Sequence, residues 1–238
     1  MANNFLIFLF FAFLAEVVAT IAGFGSSTIL VPIATAFFDI KTAIALVGLF
    51  HFLGQIVDGI IWWRYINWRI VFLFSVLGVF ASFLGASLIA YLSPQIILFL
   101  LGLFLVGYSL FSLSGRILSL PKGNLAVIGA GGLVGFLAGI IGTAGALRTA
   151  FLATFKLEKK EFLGTSNAIA FFVDLTRVAV YLGSGILTLN FSWWLAILAV
   201  AILGSLVGRK FVLGINEGLF YKIVYVALLI AGIKFIFG

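Results

Sequence analysis

Apolar residues form eight long stretches along this chain, separated by short segments that hold most of its charged and turn-forming residues. The stretches cover residues 5–38, 42–62, 68–91, 95–114, 124–155, 162–183, 191–212 and 217–237. A run of about 20 apolar residues is long enough to cross the hydrocarbon core of a bilayer as an α-helix. The pattern therefore predicts an all-α polytopic membrane protein.

The first and fifth stretches are too long for a single straight span. Residues 5–38 would form a helix about 50 Å long, whereas the hydrocarbon core is only about 30 Å thick. Both stretches contain glycines near their middle, Gly23 and Gly25 in one and Gly142 and Gly145 in the other. We therefore predict a broken helix at each glycine cluster.

The two broken stretches begin two halves of an internal repeat. At an offset of about 119 residues, Gly23 aligns with Gly142, and the segments that follow keep the same spacing. The alignment divides the chain into a first transmembrane repeat at 1–115, a cytoplasmic linker at 116–123 and a second transmembrane repeat at 124–238. Each repeat is predicted to contain the broken helix and three transmembrane helices.

The positions of the basic residues favour one topology over another. If each long stretch crosses once, the basic loops divide between the two faces of the membrane. If each long stretch folds back at its glycines, most basic residues share the cytoplasmic face, as the positive-inside rule requires. These residues are Arg64, Arg69, Arg116, Lys122, Lys156, Lys159, Lys160, Arg209, Lys210 and Lys222. We therefore expect six spans, two re-entrant hairpins and two repeats of inverted topology; a bent single helix is the alternative.

Composition narrows the function classes. The chain is 64% hydrophobic and only 9% charged, with a mean hydropathy of +1.34 and a net charge of +7. The basic residues lie in short loops, so they indicate membrane topology and not nucleic-acid binding. With no cysteine and one histidine, neither a metal centre nor another cofactor is expected. Walker and Rossmann motifs are absent from the sequence, and we expect a protein that is not an enzyme.

The start of the chain is predicted to be part of the first repeat. Residues 1–4 carry no lysine or arginine, and the first apolar segment has an internal counterpart in the second repeat. Both features argue against a cleaved signal peptide.

The two glycine clusters are candidate anion-binding tips. Irregular backbone inside a membrane survives only against protein or a wet cavity. A helix that starts just after each cluster presents free N–H groups and a positive dipole end, which favour an anion. Hydroxyl donors lie at the same places, from Ser26, Ser27, Thr28 and Thr143. Three other glycines at four-residue spacing, Gly131, Gly135 and Gly139, are interpreted as helix-packing positions.

Polar residues also follow a helical spacing in the second span of each repeat. In the first repeat they are His51, Gln55 and Asp58, and in the second they are Asn167, Asp174 and Arg177, which Ser166 precedes. Ionisable side chains at membrane depth are functional candidates because an unpaired charge there is costly. The alternative is a structural ion pair, either between Asp174 and Arg177 or between Asp58 and Arg177.

Arg148 is the sharpest substrate candidate. It follows Gly145 by three residues, so its guanidinium is expected beside a positive helix end. That arrangement is unfavourable unless an anion or a carboxylate lies between the two. The planar fork of a guanidinium suits a pair of sulfonate, sulfite or carboxylate oxygens. The alternative is an internal carboxylate partner, with Glu16, Asp58 and Asp174 as candidates. A proton coupled to transport could be carried by His51, Asp58 or Asp174.

The motifs at the two breaks resemble those of a known family. The string GFGSST at 23–28 with Pro32, and GTAGA at 142–146, are similar to the TauE/SafE family, whose members include sulfite and sulfonate exporters and toluene-sulfonate uptake permeases. The resemblance covers essentially the whole chain. Ser26 and Ser27 replace glycines of the family pattern, as do Ala144 and Ala146, and Phe151 replaces a proline. These departures concern the substrate and not the fold.

The resemblance implies a secondary transporter in the cytoplasmic membrane that moves sulfite, an organosulfonate or a related oxidised-sulfur anion by alternating access. Its partners would be the small anion, membrane lipid and a coupling proton, with no nucleic acid. Predicted substrate contacts are Gly23, Gly25, Ser26, Ser27, Thr28, Gln55, Gly142, Thr143, Gly145, Arg148, Ser166, Asn167 and Arg177. The alternatives are an anion channel, a transporter of another small organic anion such as a carboxylate, or a scaffold or intramembrane enzyme that uses Asp58 and Asp174.

Overall fold

The computed structural model describes the backbone of residues 2–22, 25–115, 123–187, 191–211 and 217–237. Within these ranges the chain is all-helical, with a short 3-10 turn at Trp63–Tyr65. The α-helices are α1 (Ala2–Ala22), α2 (Ser27–Ala34), α3 (Ile40–Trp62), α4 (Trp68–Leu88), α5 (Pro94–Leu113), α6 (Asn124–Ile141), α7 (Gly145–Ala153), α8 (Lys159–Gly183), α9 (Phe191–Phe211) and α10 (Glu217–Phe237). Of the predicted linker at 116–123, only Gly123 is among the described residues.

Six of the predicted apolar stretches are confirmed as single helices, with ends within about three residues of the prediction. Local capping explains several of these ends. The side chain of Asp39 accepts hydrogen bonds from the backbone N–H groups of residues 41 and 42 at the start of α3. Asn67 caps α4 and Ser93 caps α5 in the same way.

The two long stretches are broken at their glycine clusters, as predicted. The first helix ends at Ala22 and α2 begins at Ser27, while α6 ends at Ile141 and α7 begins at Gly145. Gly25 has a φ of 86° and Gly142 a φ of 75°, a left-handed conformation that glycine adopts without a Cβ clash. The remaining glycine of the first cluster, Gly23, lies outside the described residues.

The two limbs of each broken stretch differ in length. At 1.5 Å per residue, α1 is about 31 Å long and α2 about 12 Å, while α6 is about 27 Å and α7 about 14 Å. Five helical segments within the described ranges are long and apolar enough to cross a membrane: α3 with its 3-10 turn, α4, α5, α6 and α8. Shorter apolar parts of α1, α9 and α10 accompany them.

The main helix contacts have a two-fold pattern. When α1 to α5 are exchanged in order with α6 to α10, each of these contacting pairs maps onto another contacting pair or onto itself. Helix α4 packs on α6, and its counterpart α9 packs on α1. The exchange also maps α3 onto α8 and α5 onto α10, and each of these pairs is in contact. The two helices that carry the polar side chains, α3 and α8, therefore lie side by side.

The contact between α4 and α6 depends on small residues, as the four-residue glycine spacing predicts. A Cβ on Gly139 would lie 2.6 Å from the backbone oxygen of Ser82 and from the backbone nitrogen of Ala86. Gly131 and Gly135 face the backbone of α4 at similarly short range. Close backbone approach of this kind is typical of helix pairs in membranes.

Candidate functional site

The broken helices and the two polar helices enclose a small cavity. Its free volume accommodates about one water molecule. The lining residues come from α2, α3, α6, the α6–α7 junction, α7 and α8: Ser27, His51, Val134, Ala138, Ala144, Gly145, Arg148, Ile169, Val173, Asp174 and Arg177. Six of them, Ser27, His51, Gly145, Arg148, Asp174 and Arg177, are predicted site residues.

The tips of the two broken helices meet through hydroxyl groups. Thr143 Oγ1 lies 2.9 Å from Thr28 Oγ1 and 3.3 Å from Ser27 Oγ, which joins the starts of α2 and α7. Ser26 is also buried, and its Oγ has no hydrogen-bond partner among the described residues. Because Ser27 and Gly145 are the first residues of their helices and line the cavity, two positive helix ends adjoin it.

Asp174 bridges a histidine and an arginine inside the protein. Its Oδ2 lies 2.6 Å from His51 Nδ1, and its Oδ1 accepts a hydrogen bond of 2.8 Å from Arg177 Nε. The three side chains are at most 4% exposed. The ion pair between residues 174 and 177, one of the two structural pairings considered from the sequence, is therefore present. Among the ion pairs of the described residues, the other pairing, between Asp58 and Arg177, is not found.

Arg177 also caps the end of α6. Its Nη1 donates to the carbonyl oxygen of Gly142 at 2.7 Å and to that of Ala138 at 3.3 Å. The hydroxyl of Tyr181 donates to the carbonyl of Gly139 at 2.5 Å. Carbonyl groups at a helix end need such donors when water is excluded. These contacts give Arg177 a structural role at the broken helix, although it also lines the cavity.

The guanidinium of Arg148 is engaged differently. Its side chain is 6% exposed, and Nε donates to Ser166 Oγ at 3.1 Å. In the described part of the chain, none of the proposed carboxylate partners forms an ion pair with Arg148, and no hydrogen bond is found for its two terminal nitrogens. The buried guanidinium of Arg148 therefore lines the cavity without a carboxylate partner among the described residues.

Three further predicted residues form a second layer around His51. Gln55 Nε2 lies 2.9 Å from His51 Nε2, and Asn167 Nδ2 donates to the backbone oxygen of Gln55 at 3.0 Å. A Cβ on Gly25 would lie 2.7 Å from His51 Nε2 and 3.7 Å from Arg148 Nη2. The first glycine tip therefore lies directly against the side chains that surround the cavity.

Asp58 lies outside this cluster. It is half-buried on α3, about two turns from His51, and its Oδ1 accepts a hydrogen bond of 2.9 Å from Ser205 on α9. Glu16 is buried near Gly54 and Gly204, away from the cavity lining. The predicted polar stripe of α3 is thus divided between two environments.

Sequence reasoning missed the role of Tyr181 and the apolar part of the cavity wall, which Val134, Ile169 and Val173 form. No polar signal marks the apolar positions, because they resemble every other core residue. Ser205 could have been found, since it aligns with Ser82 when the insertion in the second repeat is allowed for. Both serines bind the neighbouring polar helix, Ser82 at the backbone oxygen of Val173 and Ser205 at Asp58.

The charges around the cavity favour a negative ligand. Arg148 and Arg177 contribute two guanidinium groups and Asp174 one carboxylate, so one positive charge is in excess when His51 is neutral. A buried excess charge is costly unless a counter-ion or water compensates it. Among the described residues, no cluster of three or more His, Cys, Asp or Glu side chains is suited to hold a metal ion.

The fold and site define a class: a multi-pass membrane protein with a basic cavity between two broken helices. The profile of the family described as sulfite exporter TauE/SafE matches residues 8–235. The chain therefore belongs to the TauE/SafE family, and this membership supports a membrane anion transporter. Comparison with curated proteins and with solved structures finds no match to this chain.

Proposed function

We propose that this protein is a secondary transporter of the cytoplasmic membrane that moves a small oxidised-sulfur anion, either sulfite or an organosulfonate. The anion binds between the starts of α2 and α7. Arg148 supplies the charge, and Ser26, Ser27 and Thr143 supply hydroxyl donors. The single observation that carries the proposal is the buried guanidinium of Arg148, whose terminal nitrogens have no hydrogen-bond partner among the described residues.

The size of the cavity supports alternating access over an open channel. Sulfite and sulfonates are much larger than the water molecule for which the cavity has room. Binding therefore requires the tips to separate and then close again around the anion. A protein that opens its site to one face at a time behaves as a transporter, because each cycle moves a bound anion.

Separation of the tips is most simply achieved by movement of one repeat against the other. We propose that the two sets of five helices are repeats of inverted topology and that the broken helices are re-entrant. The exchange symmetry of the helix contacts supports the repeat, and the breaks at Gly25 and Gly142 support the hairpins. The anion then lies where the two repeats meet, as in other transporters built from inverted repeats.

Replacement of Arg148 tests the proposed function. The purified protein is reconstituted into liposomes that contain unlabelled methanesulfonate or sulfite, and uptake of the labelled anion against the internal pool is measured. Wild-type protein should show saturable counterflow, whereas a channel would show conductance without counterflow. The change Arg148→Ala should weaken anion binding by about 10- to 100-fold, because a hydrogen bond to a charged group contributes roughly 1.5–3 kcal/mol.

Arg69→Ala is the matched control, since Arg69 is exposed at the start of α4 and outside the cavity. It should leave counterflow unchanged. Arg148→Lys keeps the charge but loses the planar fork, and should fall between the alanine variant and wild type. Equal anion affinity in the Arg148→Ala and wild-type proteins would refute the assignment of Arg148. An absence of counterflow with every anion tested would refute the transporter itself.

A further inference from the structure

We propose that His51 carries a proton together with the anion, so that transport is anion–proton symport. The inference rests on the proposed function and names its coupling ion. It starts from the position of His51, which is 4% exposed and has a polar contact at each ring nitrogen.

The contacts of His51 allow two protonation states that differ only in the orientation of the Gln55 amide. The contact with Asp174 at Nδ1 requires a proton on that nitrogen, because a carboxylate only accepts. When Gln55 donates its amide N–H to Nε2, the ring is neutral. If the amide of Gln55 turns over, its oxygen accepts a hydrogen bond from a protonated Nε2. A proton can therefore be gained or lost at Nε2 with only the rotation of one amide.

The proton-binding atom lies beside the anion-binding tip. A Cβ added to Gly25 would lie 2.7 Å from His51 Nε2 and 3.7 Å from Arg148 Nη2. The charged groups that face His51 are Asp174 and Arg177 on α8 and Arg148 on α7. Glu16 of α1 lies near Gly54, the neighbour of Gln55 on the same helix.

These charges make proton and anion binding mutually dependent. Protonation of His51 adds a second excess positive charge to a cavity that already has one. An anion in the cavity compensates that charge, so each ligand favours the other. For unit charges about 6 Å apart at an effective dielectric of about 20, the affinity of each ligand should rise on the order of 100-fold when the other is bound. The coupling is reciprocal by thermodynamic necessity.

Asp58 lies on the same helix as His51 but not beside the anion-binding tip. It contacts Ser205 on α9 and does not line the cavity. The structure thus distinguishes His51 from Asp58, two of the three coupling candidates that the sequence offers.

Methanesulfonate is the probe of choice because it is the anion of a strong acid and carries no proton of its own near neutral pH. Calorimetric titration of the purified wild-type protein in two buffers of different ionisation enthalpy gives the number of protons bound with each anion. We expect about one proton per anion near neutral pH. In liposomes, a pH gradient that is acidic outside should drive methanesulfonate accumulation, and an internal pH indicator should report matching proton entry.

The variant His51→Gln should lower the measured ratio of protons to anions from about one to about zero, whatever anion flux it retains. Asp58→Asn is the control and should keep the ratio at about one. Proton uptake of zero in wild-type calorimetry would overturn the proposal without any variant having to fold. Loss of the proton in Asp58→Asn but not in His51→Gln would overturn the assignment to His51. Counterflow that persists without proton coupling would refute symport while leaving the proposed function intact.

Discussion

Replacing Gly25 by alanine tests the geometry of the first tip. The residue has a φ of 86°, a conformation that costs an L-amino acid roughly 1–2 kcal/mol. The new Cβ would also lie 2.7 Å from His51 Nε2, where ordinary contacts begin at 3.4 Å. Overpacking of this kind typically costs about 1–3 kcal/mol, and His51 could move away only by giving up its contacts with Asp174 and Gln55. Together the two effects should destabilise the protein by about 2–5 kcal/mol.

The measurement is thermal unfolding of the purified protein in detergent. For a protein of this size, the expected loss corresponds to a fall in melting temperature of about 4–20 °C. Gly107→Ala is the matched control, because Gly107 lies within α5 and a Cβ there would have no neighbour within 4 Å. Alanine at that position should leave the melting temperature unchanged or raise it slightly, since it favours the helix.

A second substitution separates the backbone strain at residue 25 from the overlap between its new Cβ and His51. His51→Ala removes the atom that the new Cβ would meet but leaves the backbone of residue 25 in its left-handed conformation. In a double-mutant cycle, Gly25→Ala should therefore be less harmful by about 1–3 kcal/mol when His51 is absent. If Gly25→Ala melts at the wild-type temperature, or if the two changes are additive, the close contact between the tip and His51 is wrong.

Two further predictions concern packing and topology. Gly139→Ala should lower the melting temperature because its Cβ would meet the backbone of α4. Gly129→Ala is the control on the same helix and should not lower it, because a Cβ there has open space around it. Equal effects of the two changes would refute close packing at Gly139. Single cysteines placed at Asn3 and Lys41 should react with an impermeant thiol reagent from the same side of the membrane; reaction from opposite sides would refute a re-entrant first hairpin.

Much of the architecture could be predicted because the relevant signals are local. The starts of α3, α4 and α5 follow from the N-caps at Asp39, Asn67 and Ser93, which the sequence places just before apolar runs. The breaks follow from glycine clusters in runs too long for one span. What these signals do not give is the unequal length of the two limbs at each break, which depends on packing against the rest of the protein.

The candidate site was predictable only in part. The pair formed by Asp174 and Arg177 is one of the two structural alternatives that the sequence offers, because residues three apart share a helix face. The contact between His51 and Asp174 joins residues 123 positions apart, so it depends on how α3 packs against α8. Helical spacing also grouped Asp58 with His51, although a separation of about two turns places it against a different helix.

The hydroxyl contacts between the two tips have a consequence for the movement of the protein. Ser27, Thr28 and Thr143 each can donate and accept a hydrogen bond, so they satisfy one another when the tips touch. When the tips separate, the same groups can turn to water or to the oxygens of a bound anion. Each exchange of partners involves a net free energy of only about 1 kcal/mol. The hydroxyl contacts therefore hold the tips together in the closed state but add little to the free energy that is needed to separate them.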